Sequence, residues 1–181
     1  SVEVTKAYIE RINTYDSKLN SIILVAPDAL EQAAASDQRR ADGNSLGPLD
    51  GIPVLLKDNI DAVGMPTTAG SYALEENYPA EDADVTRGLR AAGVVLLGKA
   101  NTSQWAGFRT TKGLNGSTVG KGPHNAYDLA RTASGSSSGS GVAAAVSFAA
   151  ATVGTDTTGS IVSPSSHNGV VGLRPTIALI S

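Results

Sequence analysis

Cysteine is absent from this 181-residue chain. That removes disulfides, a thiol nucleophile and thiolate metal sites together, and it fits a cytosolic protein. Histidine occurs twice, at His124 and His167. The two are far apart and lack the H-E-x-x-H spacing, so a histidine-held metal is not expected. No stretch reaches the ~18 apolar residues of a membrane-spanning helix. The longest apolar runs, such as AGVVLLG, are short and bounded by glycine, as buried strands are. The opening SVEVTKAYIERI is amphipathic and charged, unlike a signal peptide. Neither sign of charge dominates. The net charge is −3 and the lysines and arginines are scattered, which leaves no footprint for nucleic acid. Two nucleotide motifs fail as well. No lysine follows Lys121, so the Gly/Ser-rich stretch SGSSSGSG at 134–141 is no Walker A loop. GSGVAA matches a relaxed dinucleotide fingerprint, but DLARTAS before it is a poor strand.

What is present is a globular composition, 41% apolar and 17% charged, in a length that suits one domain with its own core. Val4, Tyr8, Ile12 and Tyr15 recur at helical spacing, with Glu3 in the first turn, and predict a helix over 2–15. SIILVAP reads as a short strand. Asp28, with Glu31 three residues on, reads as the cap of a helix reaching about Ala41. Ile52 to Leu56 form a continuous apolar run, as in a strand buried on both faces. A helix from about Ala83 to Ala92, closed by Gly93, leads into a strand at Val94–Leu97. Residues 106–133 have no period and read as long loops. GVAAAVSFAAA, 141–151, reads as a small-residue helix, TVG as a buried strand, and GSIVSPSS as a turn into a helix. The final VVGLRPTIALIS reads as an interior strand. Strand and helix alternating in this way predict an α/β layer architecture.

Serine is the available nucleophile, and it needs a base. His167 follows Ser160 by seven residues, which on a helix is two turns or about 10 Å, too far for direct proton transfer. Lysine remains. Lys57 directly follows IPVLL, at the end of a predicted buried strand. Taken alone, a lysine so placed snorkels to water.

The motifs taken together change that reading. GIPVLLKDNID, SGSSSGSG and GTDTTGSIVSP occur in order, with GKANTSQWAGF between the first two and VVGLRPT after the last. In this set the chain resembles the amidase signature family of serine hydrolases, from about residue 2 to its end. It looks most like the branch that holds peptide amidases and plant and fungal amidases. The resemblance implies an α/β fold with a mixed β-sheet core flanked by helices. Residues 1–181 would be the N-terminal portion of a single domain, because family members are usually more than twice this length. It also implies that Lys57 is the base, Ser160 the nucleophile and Ser136 the serine bridging them. The 24-residue spacing implied between bridge and nucleophile selects Ser136 from the three serines at 136–138. The Gly135–Ser136 peptide would be cis. The N–H groups of Thr157, Thr158 and Gly159 would face the oxyanion and the substrate, while Ser137 and Asp156 would orient the machinery from behind. Lysine acts as a base only when neutral, so burial must bring its pKa from about 10.4 toward 7.

Three positions depart from the family pattern. Val162 stands where arginine is frequent, Thr158 where glycine or aspartate is found, and Gln104 where glutamate is frequent. Thr158 bears on substrate preference more than on chemistry, because an oxyanion contact comes from backbone. The activity implied is hydrolysis of small amides or peptide amides through an acyl-enzyme, releasing ammonia. No metal and no organic cofactor is implied. The partner is a small-molecule amide, with no nucleic acid and no membrane. Two rival readings stand beside this one. The first is an amidotransferase A-type subunit that uses glutamine. The second is a shortened, catalytically weak domain that acts through binding, with a second copy or a partner covering its exposed sheet edges.

Overall fold

A computed structural model of the chain describes residues 1–107 and 116–180. Among the described residues, five α-helices and four strands follow one another as α1 (Val2–Tyr15), β1 (Ile22–Val25), α2 (Ala29–Ala41), β2 (Pro53–Lys57), α3 (Asp84–Ala91), β3 (Val95–Ala100), α4 (Ser138–Ala145), β4 (Ala151–Val153) and α5 (Val162–His167). The strands form one mixed sheet in the order β1-β3-β2-β4. β2 lies parallel to both neighbours, whereas β1 runs antiparallel to β3. This is the expected α/β fold with a mixed sheet flanked by helices.

Every residue of β2 and β3 is buried. Leu55, Leu56, Val95, Leu96 and Leu97 form the centre of the core. Continuous apolar runs do this because both faces of a central parallel strand are covered. The pairing of β2 with β3 slips by one residue. Val54 lies opposite Leu96, but Leu55 lies opposite Gly98. Gly98 allows the slip, since a Cβ there would sit 2.1 Å from the Leu24 carbonyl oxygen. After the bulge Leu56 pairs with Lys99 and Lys57 with Ala100. Without it the two lysines would pair and share a face, because paired residues point the same way. The bulge sends Lys57 to one face of the sheet and Lys99 to the other.

Several predicted boundaries shift. β3 continues through Lys99 to Ala100, beyond Leu97. α4 begins at Ser138, inside the Gly/Ser-rich stretch, and ends at Ala145. Asp28 precedes α2 but its side chain makes no capping bond, accepting instead from Gln32 Nε2 at 2.9 Å. Of the loops expected over 106–133, positions 116–133 form only an isolated bridge, His124 with Thr132, and 108–115 lie outside the described residues. The last segment corrects the sequence reading. Residues 170–180 form no strand, and Val171 is 99% exposed, because no sheet edge pairs with them.

Candidate active site

β2 delivers Lys57 at its C-terminal end, with the side chain almost fully buried (1% exposed). Its ammonium donates to Ser136 Oγ at 2.7 Å and to Thr155 Oγ1 at 2.7 Å. Burial drives the Lys57 pKa down to about 8, although the Asp156 and Asp58 carboxylates act in the opposite direction. The lysine therefore does not snorkel; it ends on two hydroxyls.

The three consecutive serines separate cleanly. Ser136 follows a cis peptide at Gly135–Ser136, and its carbonyl accepts from Ser103 N and from Thr102 Oγ1, both at 3.0 Å. Ser137 exchanges hydrogen bonds with Thr155: its Oγ donates to the Thr155 carbonyl at 3.1 Å and accepts from Thr155 N at 3.2 Å. The Ser137 N–H also donates to the Ser160 carbonyl at 3.2 Å. Ser138 opens α4, and its buried Oγ has no partner among the described residues. Only Ser136 meets the lysine.

Ser160 is half-buried in the turn between β4 and α5. It shares with Ser136 a cavity of about 990 Å³, also lined by Asn59, Trp105, Thr155, Thr157 and Thr158. Asp156 builds the turn. Its Oδ1 accepts from Gly159 N at 2.6 Å, and its Oδ2 from Ile161 N at 2.8 Å and Val162 N at 3.2 Å. Burial pushes this carboxyl up, but the three N–H groups together with Arg174, 3.7 Å away, outweigh that and hold it below the ordinary aspartate range.

That arrangement corrects one expectation. The Gly159 N–H points into Asp156 and is not available to an oxyanion. Gly159 supplies instead a backbone turn at φ +105°. The N–H groups of Thr157, Thr158 and Ser160 donate to no acceptor among the described residues. The histidines stay out of the site. His167 Nδ1 lies 2.9 Å from the Ser163 carbonyl on its own helix, and His124 Nδ1 lies 2.8 Å from the Leu129 carbonyl. No group of histidine, aspartate and glutamate able to hold a metal occurs among the described residues.

Sequence reasoning missed Thr155, the second partner of Lys57, and Asn59, whose Nδ2 reaches Thr155 Oγ1 at 3.2 Å. Threonine and asparagine carry no distinctive spacing there. The available clue was position alone, since Thr155 immediately precedes Asp156 and Asn59 follows Lys57 by two residues.

A buried lysine bonded to Ser136 and Thr155 thus stands at a cavity that Ser136 and Ser160 share, beside a turn whose Thr157, Thr158 and Ser160 N–H groups have no acceptor among the described residues. The chain belongs to the Amidase family, whose model matches residues 3–181. It is similar to the peptide amidase from Stenotrophomonas maltophilia, with 48% identity and a TM-score of 0.96, over 99% of this chain and 38% of that one. It is also similar to an amidase family protein from Bacillus anthracis, with 39% identity and a TM-score of 0.85, over 92% and 34%. The A-type subunit of the Glutamyl-tRNA(Gln) amidotransferase from Streptomyces coelicolor is 43% identical over 183 residues, covering 100% of this chain and 36% of that protein. The chain thus spans little more than a third of the length of these relatives. No helix among the described residues is long and apolar enough to cross a membrane.

Proposed function

We propose that this chain carries the catalytic groups of an amidase that hydrolyses small linear amides or peptide amides and releases ammonia. The observation that carries the reading is the 2.7 Å bond between a buried Lys57 and Ser136, in a cavity that also holds Ser160. Ser160 Oγ attacks the amide carbonyl carbon while its proton passes to Ser136, and the Ser136 proton passes to neutral Lys57. The oxyanion that forms meets the free N–H groups of the 157–160 turn, each such donor being worth roughly 10²–10³ in rate. When the C–N bond breaks, the proton returns from Lys57 through Ser136 to the leaving nitrogen. Water then attacks the acyl-enzyme along the same relay and regenerates Ser160.

Every member of the relay is a side chain of this chain, and no step asks for a metal or a cofactor. A fluorophosphonate probe tests the reading directly. Mapping should place the label on Ser160, and Lys57→Ala should slow labelling by roughly 10²–10⁴, the usual contribution of a general base. Absence of label on Ser160 in a folded sample would refute it and favour the domain that acts through binding. The 43% identity to the Streptomyces coelicolor amidotransferase protein supports a second reading, in which the amide is that of glutamine and the ammonia passes to a partner protein. Ammonia release from glutamine that requires the partner and an acceptor would select it.

A further inference from the structure

Lys99 is a second buried ammonium, 0% exposed, to which the proposed relay gives no part. It donates to the carbonyls of Ile60 at 2.9 Å and Pro66 at 3.1 Å and to Thr67 Oγ1 at 3.3 Å. These groups belong to the loop that leaves β2 after Lys57. Asp58, also 0% exposed, holds the same loop from the other side. Its Oδ1 accepts from Thr68 N at 3.2 Å and Thr68 Oγ1 at 2.9 Å, and its Oδ2 from Gly70 N at 3.1 Å. Its backbone N–H donates to the Ala100 carbonyl, next to Lys99. A continuous path therefore runs from Lys57 to Asp58, across to Thr68 and Thr67, and on to Lys99. Both ends of this loop reach the catalytic cavity, which Asn59 and Ala69 line. The Ala69 carbonyl accepts from Trp105 N at 2.9 Å, which ties the loop to another residue lining the cavity.

Resting on the proposed function, we infer that Lys99 is a positioning residue for the Lys57 site: it pins the 58–70 loop that walls the cavity, and its charge offsets the Asp58 carboxylate beside Lys57. The charged groups bearing on Lys57 are Asp58 on its own strand end and Asp156 from the 155–160 turn, itself paired with Arg174. Those bearing on Lys99 are Asp58 and Asp61. α4 brings only small and hydroxyl side chains. Asp58 thus acts on both lysines and favours the charged form of each. Removing the Lys99 charge leaves Asp58 to Lys57 alone. Lys57 then holds its proton to higher pH and is a weaker base near neutrality.

The test is a ¹³Cε NMR titration of Lys57, its signal identified by its loss in Lys57→Met, in the wild-type chain and in Lys99→Met, Lys99→Gln and Thr67→Val. The Ser160 labelling rate is followed over the same pH range. Both neutral replacements should move the Lys57 midpoint alkaline by roughly half a unit or more, a shift ordinary for a lost neighbouring charge. Thr67→Val loosens the loop without changing charge, so it should slow labelling at every pH and leave the midpoint in place. A midpoint unmoved in whichever Lys99 variant folds overturns the inference, as does an equal shift in Thr67→Val. If Ser160 takes no label at any pH, the proposed function fails, while the titration of Lys57 still decides the role of Lys99.

Discussion

Lys57 carries opposite demands of stability and chemistry in one side chain. Unfolded, it titrates near 10.5; folded, near 8. Between those values the unfolded chain binds a proton that the folded chain does not, so this group makes stability rise with pH across that window and imposes its full penalty below about 8. The same depression makes the base available. At pH 7 about one lysine in ten is neutral at a pKa of about 8, against fewer than one in a thousand at the ordinary value. Labelling of Ser160 should therefore climb with pH to a plateau above about 8. Lys57→Met should slow it by roughly 10²–10⁴, as loss of the base does, while raising stability at pH 7 by roughly 1–3 kcal/mol, the burial penalty less two lost hydrogen bonds. Urea denaturation at pH 7 reads the second effect. A variant less stable than wild type would show that the two hydroxyls fully compensate the buried charge.

At the scale of elements the site depends on how closely α4 approaches β3. Gly139, in the first turn of α4, lies against the chain at the end of β3, where a Cβ would stand 2.4 Å from Asn101 N, 2.6 Å from Asn101 O and 2.3 Å from Ser21 O. These are backbone atoms that cannot swing away. Gly139 N donates to the Asn101 carbonyl at 2.9 Å, and Asn101 N to the Ser21 carbonyl at 2.8 Å, so one glycine joins three segments three residues from Ser136. Gly139→Ala should destabilise the fold by roughly 3 kcal/mol or more, at the upper end of overpacking, and should lose Ser160 labelling with it. Gly88→Ala is the matching control, in a helix with nothing within 4 Å of the added carbon. If urea denaturation finds the two variants equally stable, the close approach is not what holds α4 in place.

The same elements show where the sequence was readable. β2 was legible because Ile52 to Leu56 form an unbroken apolar run, and α1 because its apolar residues keep a 3.6-residue period. The start of α4 at Ser138 was not, since serine and glycine are weak helix formers and only packing settles their conformation. The bulge at Gly98 and the burial of Lys99 were hidden for a related reason: a register slip depends on the partner strand, and a lysine inside a strand has the same spelling whether buried or exposed. Lys57, Ser136 and Ser160 emerged only through motifs quoted together. Thr155 and Asn59 lie within GTDTTGSIVSP and GIPVLLKDNID, but nothing in their spacing marks them, and their contact became visible once β4 lay beside β2.

The whole molecule leaves apolar surface uncovered along its last segment. Val171, Leu173, Ile177, Leu179 and Ile180 are 99%, 79%, 86%, 73% and 56% exposed. Beside them β4, three residues long, pairs among the described residues only with β2 and forms one edge of the sheet. Burying one such leucine or isoleucine is worth about 1.5–3 kcal/mol, and an apolar cluster open to water attracts whatever can cover it. Edge and tail together give the 181-residue chain a surface on which a second copy can add. Dilution in analytical ultracentrifugation should reveal self-association that strengthens with added sulfate, as apolar contacts do, rather than weakening as ion pairs would. Leu173→Ser with Ile177→Ser should return the chain to monomer and reduce binding of a hydrophobic dye. Ser160 labelling should persist in that variant, since neither side chain lines the cavity that holds Ser136 and Ser160. A wild-type chain that stays monomeric at every concentration and binds no dye would mean that the segment folds back and covers its own apolar side chains in solution.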